Sequence, residues 1–551
     1  MRKSAGRLVI WLFIIYISCF FLQKIHLVTA DLGRHIQNGQ IILKDGLNSP
    51  VLNSNFYSYT WPDYQVINHH WLYGLAASLI YSKMGFSGLT IFNAVVMTAA
   101  IGLMLMLSAK LTQPKWALIA GLIALPLLTA RSEIRPETIS FLLFSLTSWL
   151  LVKFSSSQLK PWQLITGVGL IQLLWVNIHI FFIFNFGLVG MFWLLALTRY
   201  LQQKNSILNR KSPFQLRTLS FALIGLGILS LFNPAGWQGV LAPLHIFDNY
   251  GYRVLENQSI PFLIKITDQI IPWYLVIITS LALLVAIFWL LKQVLGIAVS
   301  LIKASNHEQV SLLKKSFLSL RPHLFQPLFP FIPLTLIFLI ANFAISRLYP
   351  FTGLLMIPAL SLIFSLLPIN PIISKITAHH LSIMISPLVV MFLIVLCLRS
   401  GLFTPNLNRF GFGLPSSQLA SVNFFNQYLS GPIFNNYDIG GFLIFGIYPK
   451  SKVYVDNRPE AYPTDFLTKY TEAQEKVEVW DALDQEYGFE TIFFYRHDLT
   501  TWAQPFLIER IKDPFWVPVF VDDSVLILVK NDSQNQKVIE NFTLPSDIFQ
   551  F

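Results

Sequence analysis

A carboxylate, a guanidinium, an imidazole and a carboxamide follow one another in DLGRHIQNGQIILKDG, residues 31–46, directly after an unbroken apolar run. Groups like Asp31, Arg34, His35 and Asn38 recur in short clusters along the chain. They include His69-His70, the turn RSEIRPE with Arg131, Glu133, Arg135 and Glu137, His179 in VNIH, Arg347 in SRLYP, and Asp456, Arg458 and Glu460 in VDNRPE. Carboxylates can take a proton from a hydroxyl or an amine. Planar guanidiniums can engage phosphate oxygens through two N–H groups at once, and imidazoles with carboxylates can ligate a divalent cation. Each residue also has a plainer use. Asp31 could cap a helix, Arg131 and Arg135 could be interfacial anchors paired with Glu133 and Glu137, and His179 could be a packing histidine. Asn233-Pro234 and Asn257-Gln258 could only terminate helices. What distinguishes the two readings is whether these groups meet in one place.

Their placement depends on the elements that carry them. The chain has 551 residues, 54% hydrophobic and 12% charged, with a mean hydropathy of +0.57, which defines a polytopic membrane protein. Apolar runs of membrane length, about 20 residues each, fall near 8–28, 88–109, 116–130, 137–153, 162–178, 180–199, 217–232, 271–295, 327–346, 349–367 and 379–399. That is about eleven spans, a mainly α bundle. Cys19 and Cys397 both sit inside apolar runs, so no disulfide framework or cysteine metal site is indicated.

The net charge of +11 divides unevenly. Residues 1–400 hold 28 Lys+Arg and 9 Asp+Glu, whereas 401–551 hold 11 and 19. A basic membrane part, 1–400, therefore precedes an acidic soluble part, 401–551. With the N-terminus in the cytoplasm, the loops 110–115, 154–161, 200–216, 296–326 and 368–378 fall inside. Together with the N-terminus and adjoining span ends they hold 18 Lys+Arg and one acid, Glu308. The positive-inside rule explains this basicity as topology, with no nucleic acid partner. The count requires HWLYGLAASLIYSKMG, 70–85, not to cross, and its aromatic residues suit an interfacial helix. VTA before Asp31 resembles a signal-peptide cleavage site, but the apolar stretch is longer than such a peptide needs, and retention as the first span is expected.

This topology puts the chemical clusters on one side. The first outer loop, 31–87, is joined there by RSEIRPE, VNIH, FNPAGW at 232–237, RVLENQS at 253–259 and Arg347. Charges at the hydrocarbon boundary are costly unless they face a cavity or a partner, so a polar cavity open to the outside is expected. IQNGQIIL reads as a surface helix holding Asp31 at its mouth. In the soluble part, KVYVDNR, TIFFYR, WVPVFVDD and SVLILVK read as strands, with a hairpin turn at Asp522-Asp523-Ser524. KYTEAQEKVEVWDALDQEYG reads as helix, Gly440-Gly441 as a tight approach or turn, and Asp456, Arg458 and Glu460 either as acceptor contacts or as a strand-end ion network. An α/β domain follows.

An Asp at the outer end of the first span, a long first outer loop with helices, and an acidic turn between the third and fourth spans resemble the C-type glycosyltransferase (GT-C) superfamily. DLGRHIQNGQIIL, NSNFYSYT, NHHWL, RPE, WVNIH, FNPAGW, ENQS, NNYDIGGFLIFGIYP and VDNRPEAY resemble, in order, the motifs of a poorly characterised bacterial group within it. Relatives often carry Glu where this chain has His70, so no acid's role passes to that position. Asn457 stands where relatives tend to have Gly.

The resemblance implies a multi-pass plasma membrane (inner membrane) enzyme. It would move a sugar from a polyprenyl-phosphate donor to a glycan, lipid or protein acceptor of the cell envelope on the outer face. It makes Asp31 the base, with Glu133 and Glu137 orienting the acceptor or holding a metal. Arg131, Arg135, Arg347 and His179 would face the donor phosphate. His69, His70, Asp456 and Arg458 would line the acceptor side or a lid, and Asp31, His35 and Glu133 are the candidates for a divalent metal. Two alternatives stay open. A transporter of lipid-linked sugar would spread intramembrane charge over both halves of the bundle, and a non-catalytic glycan-binding protein would rely on the soluble part alone.

Overall fold

In a bilayer, backbone N–H and C=O groups find no partner but one another, so apolar runs of this length close into helices. The computed structural model describes residues 2–203, 211–245, 250–252, 257–267, 269–284, 326–366 and 402–549. Eight helices open the chain: α1 Arg2–Ser18, α2 Leu32–Asp45, α3 Trp71–Leu111, α4 Pro114–Thr129, α5 Glu137–Ser155, α6 Pro161–Val176, α7 Ile183–Gln203 and α8 Lys211–Ser230. Apolar helices Ile270–Leu284, Phe331–Ala344 and Tyr349–Leu366 follow. Among the described residues five helices are long and apolar enough to cross a membrane, and the chain is a membrane protein. The expected span at 379–399 and most of the basic loop 296–326 lie outside the described residues.

One boundary differs from the sequence reading. The first span was expected to reach residue 28, but α1 ends at Ser18. The next residues turn and then run extended because they pair with a later segment. Lys24 N–H donates to the Arg409 carbonyl, Ile25 N–H to Gly413, and Gly411 N–H back to Leu22. The stretch 70–85 is a helix of its own, since Gly85, at φ +60°, interrupts α3. Only glycine takes that conformation at low cost.

α2 is no surface helix. Leu32, Arg34, His35, Ile36 and Asn38 are all buried, because α2 lies between α3 and the later helix Gly440–Ile447. Small residues permit both crossings. A Cβ on Gly39 would collide with the Gly74 carbonyl of α3, and one on Gly33 would lie 2.7 Å from the Gly441 carbonyl.

The C-terminal region carries a four-stranded sheet. β1 Ile433–Asn435 pairs parallel with β2 Thr491–Tyr495, and β3 Trp516–Val521 and β4 Val525–Lys530 complete the order β1-β2-β4-β3. The expected hairpin forms, with Asp522 Oδ1 accepting from the Ser524 and Val525 N–H groups. The expected helix divides into Thr464–Glu472 and Val477–Tyr487.

KVYVDNR does not join the sheet. It runs extended beside the first loop, where Val453 exchanges backbone hydrogen bonds with Tyr57 and Tyr59, and the Ser58 and Thr60 hydroxyls donate to the Tyr454 carbonyl. NSNFYSYT is thus the seam between the first loop and the C-terminal region. One apolar core runs from the membrane helices through Phe425, Phe442 and Ile527, and a second, around Phe434, Tyr454 and Trp480, joins the C-terminal region to Val66 of the first loop.

Candidate active site

A cavity of about 1090 Å³ opens between the helix ends and the C-terminal region. Its wall brings together Asp31, Arg34, His69, His70, Arg135, His179 and Arg347 from the membrane part, and Asp438, Asn457, Arg458 and Glu460 from the C-terminal region. Tyr252 closes one side, stacked on Tyr437 at 4.1 Å between ring centroids. Residues far apart in sequence therefore share one end of the bundle, although 253–256 of RVLENQS lies outside the described residues.

Asp31 precedes α2, yet its side chain makes no capping bond to the helix. Its Oδ1 instead accepts from the Asn457 amide. That contact depends on a close fit behind it. A Cβ on Gly440 would collide with Asp456 Cα, so only glycine lets 455–457 rest on the helix that abuts α2. Gly440-Gly441 is accordingly a tight approach rather than a turn.

The acidic turn separates its two carboxylates. Glu137, with a side chain 3% exposed, accepts from Arg131 Nε at one oxygen and from Arg347 Nε at the other, the latter at 3.2 Å. Glu133 is 51% exposed, pairs with Arg135 at 2.9 Å, and is not on the cavity wall. Thr138 and Ser132 fasten the turn to Asn93 of α3. Of the arginines proposed for phosphate, Arg135 and Arg347 reach the wall, whereas Arg131 stays behind it with Glu137.

The C-terminal pair is also partly structural. Arg458 grips fully buried Asp456 through two hydrogen bonds, of 2.8 and 2.6 Å, and donates to Asn55. Burial would lower the Arg458 pKa, but the neighbouring Asp456 carboxylate outweighs it and raises it. Arg458 lines the cavity and Asp456 does not.

Four imidazoles cluster at the α2–α3 crossing. The His70 ring lies 5.3 Å from His35, 5.1 Å from His179 and 6.5 Å from His69. His179 Nδ1 accepts the Phe181 N–H, which fixes its Nε2 as the protonated nitrogen. Among the described residues no three His, Cys, Asp or Glu side chains group as metal ligands. The candidate set Asp31, His35 and Glu133 does not come together. His35 is buried with its Nδ1 unpartnered, and Glu133 faces away from the cavity wall.

Burial lowers the pKa of His35 and His70 well below the usual 6.5, and that of His69 to about 4. The unfolded chain takes up protons on these rings near pH 6.5 while the folded chain does not. Stability is therefore full above that pH and falls as pH drops toward about 4. Replacing His69 by Gln is expected to flatten this acid limb in melting curves recorded from pH 7 to 4. An unchanged slope would mean that His69 is protonated in the fold.

The sequence marked Arg34 only as a secondary candidate, without a role at the donor phosphate. It is 4% exposed, lies on the cavity wall, and its Nε has no hydrogen-bond partner. Its position three residues after Asp31 was the available signal, because residues so spaced share a helix face. Asn457, noted in the sequence only as standing where relatives tend to have Gly, is the partner of Asp31. Asn177 of WVNIH ties three loops together, accepting from Trp71 Nε1 and donating to the Phe232 carbonyl.

The helical membrane bundle with its C-terminal mixed sheet region has a GT-C-like fold. Two solved structures carry that comparison. ArnT from Cupriavidus metallidurans, bound to undecaprenyl phosphate, is 11% identical, with 96% of this chain and 99% of that one covered at a TM-score of 0.51. The archaeal oligosaccharyltransferase AglB from Archaeoglobus fulgidus, in complex with an inhibitory peptide and a dolichol-phosphate, is 11% identical, with 94% and 73% covered at 0.50. No family model and no curated protein matches. At this identity the likeness establishes the fold.

Proposed function

We propose that this protein is a membrane glycosyltransferase that takes a sugar from a polyprenyl-phosphate donor and transfers it to an envelope glycan, lipid or protein. The observation that carries this reading is one carboxylate, Asp31, held by a single amide on the wall of a cavity that also presents Arg34, Arg135 and Arg347. Both solved relatives were captured with a polyprenyl or dolichol phosphate, a ligand that such guanidiniums suit. The Lys and Arg distribution supports a cytoplasmic N-terminus and an extracytoplasmic cavity.

In this mechanism Asp31 accepts the proton of the acceptor's hydroxyl or amine as that atom attacks the anomeric carbon. The new bond to the sugar forms, the anomeric carbon–phosphate oxygen bond breaks, and the polyprenyl phosphate leaves with the electron pair. Arg34 and Arg347 donate hydrogen bonds to the charge developing on the phosphate. His179, its Nε2–H fixed by the Phe181 N–H, is a further neutral donor on the same wall. Charged groups gathered at one end of the bundle favour transfer over transport of the lipid-linked sugar.

Arg34→Gln tests the donor side. Loss of one charge-assisted hydrogen bond, about 1.5–3 kcal/mol, is expected to weaken binding of radiolabelled undecaprenyl phosphate to the purified full-length protein by roughly 10–100-fold. Binding equal to the wild type would remove Arg34 from the donor site.

A further inference from the structure

A second cavity lies at the opposite end of the bundle. α3 and α5 start at the site with Trp71 and Glu137 and run away from it, and a groove of about 190 Å³ opens between their far ends. Its apolar wall is a helix-spaced stripe from each side, Leu103, Met106 and Leu107 on α3 and Trp149 and Val152 on α5. Lys110 and Lys153, each in the last turn of its helix, flank the groove together with Ser156. The Ser156 hydroxyl is buried without a hydrogen-bond partner, and Lys153 Nζ stands 3.7 Å from the centroid of the Trp149 ring.

Charge and shape together identify the occupant. Among the described residues neither lysine pairs with a carboxylate, and the adjoining segments 110–115 and 154–161 contain no Asp or Glu. Each lysine offsets the dipole of its own helix, which accounts for the charge but not for the apolar slot between the two. A free phosphate would be met by the ammonium groups alone and would leave that slot unused. An anion with a hydrocarbon chain uses both, and basic pockets between membrane helices at the cytoplasmic side are suited to such headgroups.

We propose that this groove binds an anionic phospholipid, with the phosphodiester held by Lys110, Lys153 and the Ser156 hydroxyl and an acyl chain lying along Met106, Leu107 and Val152. The site is independent of the catalytic cavity and of the reaction assigned to it.

Native mass spectrometry of the full-length protein, titrated separately with phosphatidylglycerol, phosphatidylcholine and glycerol 1-phosphate, tests this. Phosphatidylglycerol is expected to bind as a discrete adduct. The double variant K110Q/K153Q should weaken it by about 30-fold, at roughly fivefold for each lysine, while K110R/K153R retains it. Met106→Trp fills the slot from its exposed side, keeps both charges, and should also lose the lipid. Equal binding of phosphatidylcholine, unchanged phosphatidylglycerol binding in K110Q/K153Q, or glycerol 1-phosphate bound as tightly as the lipid would each overturn the proposal. If K110Q/K153Q does not fold, unchanged lipid binding in Met106→Trp overturns it alone.

Discussion

Replacing Asp31 by Asn is expected to lower sugar transfer by about 10²–10⁴-fold, the range that a positioned general base contributes, with the fold and donor binding intact. The expectation of an intact fold rests on geometry. Asp31 does not cap α2, and its one hydrogen bond is accepted from the Asn457 amide at Oδ1. A carboxamide at position 31 can still accept that bond, so the variant removes the proton acceptor and little else. The measurement is transfer of labelled sugar from its polyprenyl-phosphate carrier in membranes holding the protein, set beside binding of undecaprenyl phosphate. Wild-type product from the Asn variant would refute the base assignment. Preserved movement of lipid-linked sugar across the bilayer, with transfer absent in the wild type as well, would identify a transporter instead.

Glu137→Gln should have the largest effect on stability. One nearly inaccessible carboxylate serves two guanidiniums, those of Arg131 and Arg347, whose side chains are 15% and 19% exposed. Neutralising it removes the carboxylate that both guanidiniums share, and breaking a buried pair in this way costs about 3–5 kcal/mol. The melting temperature of the purified protein should drop markedly, and adding Arg131→Met should recover part of the loss by removing one of the two cations. Melting unchanged from the wild type would show that water already reaches the cluster. Arg135→Gln offers a contrast, because its partner Glu133 is half exposed, and an ion pair of that kind contributes about 0–1 kcal/mol.

The helical bundle was legible in the sequence because membrane spans impose a length and composition that few other structures share. The ends were less so. CFFLQKIHLVTA is apolar enough to extend α1, but apolarity does not say whether a segment will hydrogen-bond within itself or to a partner, and the partner, 409–413, lies nearly four hundred residues away. KVYVDNR alternates like a strand and is extended, yet its neighbours are the first loop and the Asn435 side chain rather than a sheet. β1 escaped notice because three residues carry no readable period.

In the site, one-sidedness was legible from charge, and Asp31, Arg135, His69, His70, His179, Arg347 and Arg458 do share a cavity. Which of Glu133 and Glu137 would be buried was not. They stand four residues apart beside equivalent arginines, and only the packing of α5 against Arg347 separates them. Arg34 was legible only as a secondary candidate, and Asn457 only as a residue standing where relatives tend to have Gly, because their importance comes from what they face.

The hydrogen bond between Asp31 and Asn457 joins positions 426 residues apart, which bears on how the protein is made. During synthesis Asp31 clears the ribosome long before Asn457 exists, and the extended strap at 22–25 waits for 409–413 over almost the same interval. The Asp31 carboxylate therefore acquires its setting only once the C-terminal region has been made and folded back against α2. Chains interrupted before that point would carry the membrane helices and the Asp without the geometry that aims it.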